Sequence, residues 1–299
     1  MRTTGETQVS ELRDLIAQLA PRDGDHQTSI ASLWLMRRSS SLRPEFSVLV
    51  PALCLAVQGQ KEFMLGAEVY ACGSGYHLVV STHLPVSARI LGATLVKPFL
   101  GLKVDFTLTS LRSLIEEARL QAPAAGAPAR GLYASLTAPP LLDAVLRLVR
   151  LLHSPAEIPV LAPMIEREIL FRLLLEEGSV GLHRMAGADS PPQRISIAIV
   201  WLTKHFREPF RVDDLARRAG MSGSSFRRWF RSITGMSPLQ YQKLLRLQEA
   251  RSILRNERLD VGSVSRRVGY ESSSQFSREY NRLFGTPPVR EITNARSAA

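Results

Sequence analysis

Two clusters of hydroxyl, amide and guanidinium side chains begin 50 residues apart, at Ser222 and at Ser272. An arginine can donate two parallel hydrogen bonds to guanine, a glutamine can pair with adenine, and a serine can bond several bases. Both clusters therefore hold groups that can read base edges in a DNA duplex. The members are Ser222, Ser224, Ser225, Arg227, Arg228 and Arg231 in the first cluster, and Ser272, Ser273, Ser274, Gln275, Arg278 and Arg282 in the second.

Each cluster belongs to a unit that occurs twice between Arg211 and Pro288. A small residue lies where two helices would cross, and four residues later a glycine can adopt the left-handed conformation that ends a helix. A hydroxyl or acidic residue (Ser222, and Glu271 or Ser272) can then cap a second helix that is apolar on one face. This pattern predicts a helix-turn-helix in each copy. The matched pairs, 49 or 50 residues apart, are Ala216 with Ser265, Gly220 with Gly269, Phe226 with Phe276, Arg228 with Arg278, Phe230 with Tyr280 and Gly235 with Gly285.

Position along the second helix predicts the role of each side chain. The N-terminal residues of that helix meet base edges in the major groove, whereas arginines further along can bind phosphates or brace the fold. The base-reading candidates are Ser224, Ser225 and Arg227, then Ser273, Ser274 and Gln275; the phosphate-binding candidates are Arg228, Arg231, Arg278 and Arg282. A single predicted helix over 238–256 joins the copies. Its 19 residues span about 28 Å, close to the roughly 34 Å of one DNA turn.

The doubled pattern resembles the AraC/XylS-type transcriptional regulators over about residues 190–290. The resemblance implies an all-α domain with two DNA-reading units, acting on promoter or operator DNA. One departure follows Pro287, where the chain continues Pro288-Val289-Arg290 and lacks the family's final aromatic residue. The residues that carry the resemblance are Leu215-Ala216, Gly220-Met221-Ser222, Phe226, Arg228, Phe230, Gly269-Tyr270, Phe276-Ser277-Arg278 and Phe284-Gly285-Thr286-Pro287.

The charge of the chain is divided as this organisation suggests. Of 38 Lys and Arg and 27 Asp and Glu, 20 and 9 respectively lie from Gln193 onward, which leaves 18 of each sign in residues 1–192. All of the net charge of +11 is therefore on the C-terminal part. Solubility alone could account for this, but a neutral domain joined to a basic one favours separate sensing and polyanion-binding roles. We expect domains at 1–186 and 193–299, joined by a linker at 187–192.

The N-terminal half predicts an α+β domain. Residues 1–10 are expected to be a loose tail, followed by a helix over 11–19. Gln58-Gly59-Gln60-Lys61 has the composition of a hairpin turn, and helices are predicted over 111–120, 140–153 and 161–177, with a loop at 123–131. Short β-rich segments punctuated by Gly and Pro favour a barrel or double sheet; they cover 33–37, 47–50, 53–58, 61–65, 68–72, 77–81, 86–91 and 101–107.

Part of this half resembles the N-terminal arm of one AraC-type subfamily. The resemblance implies a cupin-like β-barrel that senses a small-molecule effector, flanked by helices that either form a homodimer or only cover the barrel. The residues that carry it are Leu53-Cys54-Leu55-Ala56-Val57-Gln58-Gly59-Gln60-Lys61, Leu65-Gly66, Tyr70, Gly75-Tyr76, Val79-Val80-Ser81 and Leu84-Pro85-Val86.

The histidines and cysteines of the N-terminal half limit what other chemistry it can perform. His26, His77 and His83 lack the His-x-His spacing of metal-binding cupins, so we expect no metal. The sequence also has no Gly-rich phosphate loop, no CxxC pair and no Gly-x-Ser-x-Gly motif, and we expect no cofactor and no catalytic residue. Cys54 and Cys72 are expected to be small buried residues. An alternative is a thiol-based regulator that senses an electrophile or oxidant, which needs exposure and a lowered thiol pKa.

The sequence thus predicts a cytoplasmic, dimeric transcriptional regulator that binds double-stranded DNA and a small molecule. RNA polymerase is a further candidate partner, and no membrane association is expected, because no apolar run reaches spanning length. Three rivals are weaker. A methyl-accepting repair protein needs a cluster of thiolates on zinc, which two cysteines cannot supply. A cupin enzyme with a DNA-binding tail would show bound metal or turnover of a substrate. A nucleoid-type binder would bind unrelated DNA sequences with nearly equal affinity.

Overall fold

The structure is a computed structural model that describes residues 4–66, 68–121, 131–187, 190–257 and 259–291. The chain divides into two compact units, one of residues 1–193 with 232–235 and one of residues 194–231 with 236–299. The first unit combines sheets and helices, and the second is helical, which confirms the predicted fold class. No helix within the described ranges is both long and apolar enough to cross a membrane.

The paired strands of the first unit run antiparallel, and an isolated parallel bridge joins Ala56 to Ser74. One sheet has the order β1-β2-β9-β4-β7-β10 and the other the order β3-β8-β5-β6. Each predicted β segment falls on an observed strand, but β1 and β10 were not predicted, because both are short and lack a clear apolar pattern. The strands are β1 (Gly24–Gln27), β2 (Leu33–Arg38), β3 (Leu42–Leu49), β4 (Ala52–Gln58), β5 (Gln60–Leu65), β6 (Glu68–Gly73), β7 (Tyr76–Val80), β8 (Leu84–Leu91), β9 (Phe99–Asp105) and β10 (Leu132–Leu136).

The turn at Gly59 does not form the predicted hairpin. Gly59 has φ +81°, so the backbone does bend there, in a conformation that glycine adopts readily. However, β4 pairs with β7 and β9, whereas β5 pairs with β6 and β8. The chain therefore passes from one sheet to the other at this point. Turn composition records the local bend, while the choice of strand partner depends on residues far away in sequence.

Five helices flank the sheets: α1 (Thr4–Leu19), α2 (Leu108–Glu117), α3 (Pro139–Arg150), α4 (Ile158–Leu174) and α5 (Val180–Ala186). The side chains of Leu53, Leu55 and Val57 lie on one face of β4 and belong to a buried core shared with α1, α3 and α4. The alternation along β4 thus directs every second residue to the helices. Short 3₁₀ turns cover residues 151–153, 155–157 and 177–179. Most of the predicted loop at 123–131 lies outside the described residues.

The prediction of a loose tail over residues 1–10 was wrong. Helix α1 begins at Thr4, well before the predicted start at Glu11. Val9 packs against the core, and Leu12 and Ile16 are fully buried in it, so the apolar stripe extends one turn further than the leucines alone suggested. Burial of that stripe stabilises a helix whose first turns are polar.

The second unit contains most of α6 (Pro191–His205), then α7 (Val212–Arg218), α8 (Gly223–Thr234), α9 (Pro238–Asn256), α10 (Val261–Arg267) and α11 (Ser273–Phe284). The joining helix α9 has the predicted bounds. Ser237 and Gln240 cap it reciprocally, and Pro238 occupies its first position. Helix α6 begins inside the predicted linker of residues 187–192, of which 188 and 189 lie outside the described residues.

Candidate nucleic-acid interface

Each predicted helix-turn-helix has the backbone conformation that its residue pattern indicates. Ala216 and Ser265 are buried on α7 and α10, and each is followed by a glycine in the left-handed region. Gly220 has φ +61°, and Gly269 has φ +90°. The two glycines differ in their surroundings: a Cβ on Gly269 would lie 2.1 Å from the carbonyl oxygen of Arg207, whereas a Cβ on Gly220 would meet only the guanidinium of Arg194.

Aromatic packing holds both recognition helices, α8 and α11, by one face. Phe226 and Phe230 are fully buried, and the Phe230 ring meets Tyr241 of α9 edge to face at 5.5 Å. Phe276 and Tyr280 occupy the same positions on α11 and join a core with α9 and α10. The opposite faces of α8 and α11 are left to solvent. Ten of the twelve candidates lie on α8 and α11, and Ser222 and Ser272 immediately precede these helices. Of the twelve, only Ser225 is half-buried, and the rest are exposed.

Two of the twelve candidates also serve as helix caps. The Ser222 hydroxyl accepts a hydrogen bond from the backbone N–H of Ser225 at 3.4 Å, and the Ser272 hydroxyl accepts one from Gln275 at 3.3 Å. Ser272, rather than Glu271, is therefore the cap of α11. Because these hydroxyls accept hydrogen bonds at the helix starts, the two serines fix where each helix begins and so position the base-reading candidates that follow them.

The candidates of the first recognition helix differ in how they are held. Arg227 donates to Asp213 of α7 at 2.9 Å, an exposed ion pair that restricts the guanidinium. Arg228 and Arg231 are exposed, and no carboxylate within the described parts of the chain pairs with either. The ion pair thus orients the guanidinium of Arg227, whereas those of Arg228 and Arg231 are available to bind phosphates.

The second recognition helix contains a more elaborate arrangement around Glu279. Its carboxylate accepts hydrogen bonds from Lys243 Nζ at 2.7 Å, from the Tyr270 hydroxyl at 2.8 Å and from Gln275 Nε2 at 3.2 Å. The Glu279 side chain is only 12% exposed. Burial raises the pKa of Glu279, but the hydrogen bonds from Lys243, Gln275 and Tyr270 lower it by more. The pKa of this carboxyl therefore lies below its ordinary value. Glu279 is therefore ionised at neutral pH.

Sequence reasoning missed a clamp on α9. Arg246 donates to the carbonyl oxygens of Phe206 at 2.7 Å and of Gly269 at 2.6 Å. Gln242, one turn earlier, donates to the carbonyls of Phe206 at 3.0 Å and of Glu208 at 2.6 Å. The clamp joins the turn after α6 to the turn of the second helix-turn-helix. A polar pair spaced four residues apart on an otherwise packed helix is the signal that could have indicated it.

The C-terminal end of the described chain also packs through a buried charge. Glu291 is 8% exposed and accepts a hydrogen bond from Arg251 of α9 at 2.8 Å. The Arg251 guanidinium lies over the Phe284 ring at 4.7 Å. The ion pair thus anchors the segment after Pro287, where the family's usual aromatic residue is absent, and the same arginine contacts Phe284 before that segment.

The environment of the two cysteines disfavours thiol chemistry. Burial raises the pKa of Cys54 to about 11 and, together with Cys54, raises that of Cys72 to about 12. Both thiols are therefore neutral at physiological pH, and the thiolate is the nucleophile. Among the described residues, no three His, Cys, Asp or Glu side chains form a metal-binding cluster.

Comparison with known proteins follows the division of the chain. Residues 29–180 match the model of the AraC-type transcriptional regulator N-terminus, and residues 215–291 match a helix-turn-helix domain. The first match alone covers half of the chain. The chain belongs to the AraC-type transcriptional regulators. The candidate interface lies in the helix-turn-helix domain of this family member.

Two relatives are HTH-type transcriptional activators named RhaS. The Escherichia fergusonii protein is 33% identical over 142 residues, 46% of this chain and 49% of the relative. The Escherichia coli O1:K1 / APEC protein is 30% identical over 159 residues, 52% of this chain and 55% of the relative. The chain thus spans about half the length of these relatives. The fold also matches wild-type ToxT from Vibrio cholerae strain SCE256, solved with a bound unsaturated fatty acid, at TM-score 0.53 and 9% identity, over 87% of this chain and 93% of ToxT.

Proposed function

We propose that this AraC-type protein binds a specific promoter or operator sequence in double-stranded DNA and regulates transcription there. The observation that supports this most strongly is the pair of recognition helices, each packed by aromatic residues on one face and exposed on the other. Helix α9 spans about 28 Å between them, near the roughly 34 Å turn of DNA. Two adjacent major grooves are thus within reach of one protein chain. The protein acts in the cytoplasm, has no catalytic activity of its own and can contact RNA polymerase beside its site.

The test is binding of the purified full chain to its own upstream DNA and to a scrambled duplex of the same length and composition, at two salt concentrations. A sequence-specific regulator should prefer the native duplex by about 10³-fold or more. Equal, strongly salt-weakened binding to both duplexes would indicate phosphate contacts alone. That result would support a nucleoid-type binder instead.

We further propose that a small-molecule effector binds the first unit. A cleft of about 1060 Å³ lies at one end of the sheet that contains β4, and its lining combines apolar side chains such as Val57 and Leu142 with polar and charged ones such as Thr137 and Lys97. Small-molecule sites combine apolar surface with polar groups that fix the orientation of the ligand, and they occur in the mouths of barrels. The test is thermal stability of the full chain across a metabolite panel, since a ligand of the native state raises the unfolding temperature. A T137V variant should lose the shift if the effector occupies this cleft.

We propose a homodimer that forms through α4. Val160 and Met164 are 66% and 63% exposed one turn apart, and Leu175 just beyond the helix is 59% exposed. The inner face of the same helix is already buried in the core, so this second apolar stripe has no role within the monomer described. Sedimentation should show a dimer that M164E dissociates. V69E, at a valine on β6 that is 57% exposed, is the matched control and should remain dimeric.

A further inference from the structure

The amide of Gln275 is held in one orientation by its neighbours. Gln275 is the third residue of α11, its side chain is exposed, and its Nε2 lies 3.2 Å from Glu279 Oε1. An ionised carboxylate only accepts hydrogen bonds, so the amide nitrogen, and not the amide oxygen, must face Glu279. The oxygen of Gln275 and its second N–H are consequently directed away from the carboxylate.

Glu279 is itself fixed from outside the helix. Lys243 of α9 and Tyr270 of the preceding turn donate to its two oxygens at 2.7 Å and 2.8 Å. These contacts prevent the carboxylate from turning away when Gln275 engages a ligand. The first recognition helix has no equivalent, because the residue 50 positions before Glu279 is Trp229. The arrangement is therefore particular to the second DNA-reading unit.

The groups left on Gln275 match one base. Adenine presents an N7 acceptor and an N6 donor in the major groove, whereas guanine presents two acceptors. An amide with one free N–H and one free oxygen satisfies adenine, while its oxygen would oppose O6 of guanine. We infer that Glu279 is a positioning residue that orients Gln275 toward adenine and so sets the base preference at one position of the DNA site.

This inference rests on the proposed DNA-binding function. It is tested by selecting binding sites from randomised duplexes with the full-length wild type, Q275A, E279Q and the double variant. Wild type should prefer adenine at one position by about fivefold or more, and Q275A should lose that preference. E279Q, whose side chain can present a donor or an acceptor, should weaken the same preference by about threefold or more. In the Q275A background, E279Q should change nothing further at that position.

Two additional variants separate positioning from folding and from charge. Y270F removes one hydrogen bond to Glu279 and keeps the aromatic ring. It should weaken the adenine preference at the same position, by less than E279Q does. E271Q removes one negative charge from the exposed residue before the Ser272 cap, without touching Gln275, and should alter affinity for all sequences alike. An unchanged midpoint of urea unfolding, followed by tryptophan fluorescence, shows that a variant is folded.

Three results would overturn the inference. E279Q could change affinity for every sequence by one common factor, the adenine preference could survive E279Q intact, or Q275A could leave every position unchanged. If the wild type itself selects no sequence, the proposed sequence-specific function fails together with the inference. Selection by the wild type, without an effect of E279Q, removes the inference alone.

Discussion

At the residue scale, the two turn glycines occupy matched places but different surroundings. Both have positive φ, which costs a residue with a Cβ about 1–2 kcal/mol. Only Gly269 also has a backbone carbonyl where a Cβ would be, that of Arg207 at 2.1 Å. The second turn therefore tolerates no side chain, while the first has space for one at the end of the flexible Arg194 side chain.

We predict that G269A destabilises the second unit by about 3 kcal/mol or more, and G220A by about 1 kcal/mol. Urea unfolding followed by tryptophan fluorescence measures this. In a W34F background, the signal comes from Trp201 and Trp229 of the second unit. Equal losses for the two variants would show that backbone conformation alone decides the cost.

The buried thiols give a prediction about reactivity. At pH 8 the native protein should resist alkylation at both cysteines, because burial holds the pKa of Cys54 near 11 and that of Cys72 near 12, and the neutral thiol is a poor nucleophile. Mass spectrometry after treatment with iodoacetamide should find no label in native protein and two labels in urea. Stoichiometric labelling of the folded protein would revive the thiol-based alternative.

At the element scale, α9 is a brace as well as a spacer. Its aromatic and aliphatic side chains enter the cores of both helix-turn-helix units, through Tyr241 on one side and Leu247 and Ala250 on the other. Its polar residues Gln242 and Arg246 bind backbone carbonyls of both halves. The orientation of the second unit relative to the turn after α6 is thus fixed by directional hydrogen bonds in addition to packing.

We predict that R246M destabilises the second unit by about 2–4 kcal/mol, because it leaves partly buried carbonyls without donors. R246K should recover only part of the loss, since one ammonium cannot reach carbonyls on two segments. The measurement is again urea unfolding followed by tryptophan fluorescence in the W34F background. R217M is the matched control, because Arg217 is 79% exposed on α7 and its surface pair with Asp214 contributes little. A loss no larger than that of the control would contradict the clamp.

At the scale of the whole molecule, charge is separated by sequence region. The first 192 residues are neutral and the remainder carries +11. Such a partition confines attraction for a polyanion to one part of the chain and leaves the other free for neutral or mixed ligands. Exposed arginines of the recognition helices without acidic partners in the described chain, such as Arg228 and Arg278, are the groups expected to bind phosphates.

We predict that R278Q weakens binding to specific and scrambled duplexes by a similar factor, because a phosphate contact carries no base information. The slope of log affinity against log salt should become shallower by about 0.9. Fluorescence anisotropy at several salt concentrations measures both quantities. R13Q, which removes the same charge from α1 of the first unit, should leave the slope unchanged; a parallel change in both variants would indicate a long-range charge effect.

The sequence by itself determined the features that depend on near neighbours. The repeat, with glycines at 220 and 269 and aromatic residues at helical spacing, predicted each helix-turn-helix, and α9 was predicted at its observed bounds. Strand positions followed from Gly and Pro punctuation, since these residues restrict the backbone locally. The same periodicity placed the candidate DNA-contacting residues together on exposed helix faces, and their contacts with bases remain predictions.

Only the tertiary structure decided which distant residues meet. It assigned β4 and β5 to different sheets, extended α1 back to Thr4, and brought Arg246 to the carbonyls of two separate turns. It also placed Lys243 and Tyr270 on Glu279, and so fixed the amide of Gln275. Pairings of this kind cannot be read from local periodicity, because they depend on how complete elements pack and on which buried polar groups then require partners.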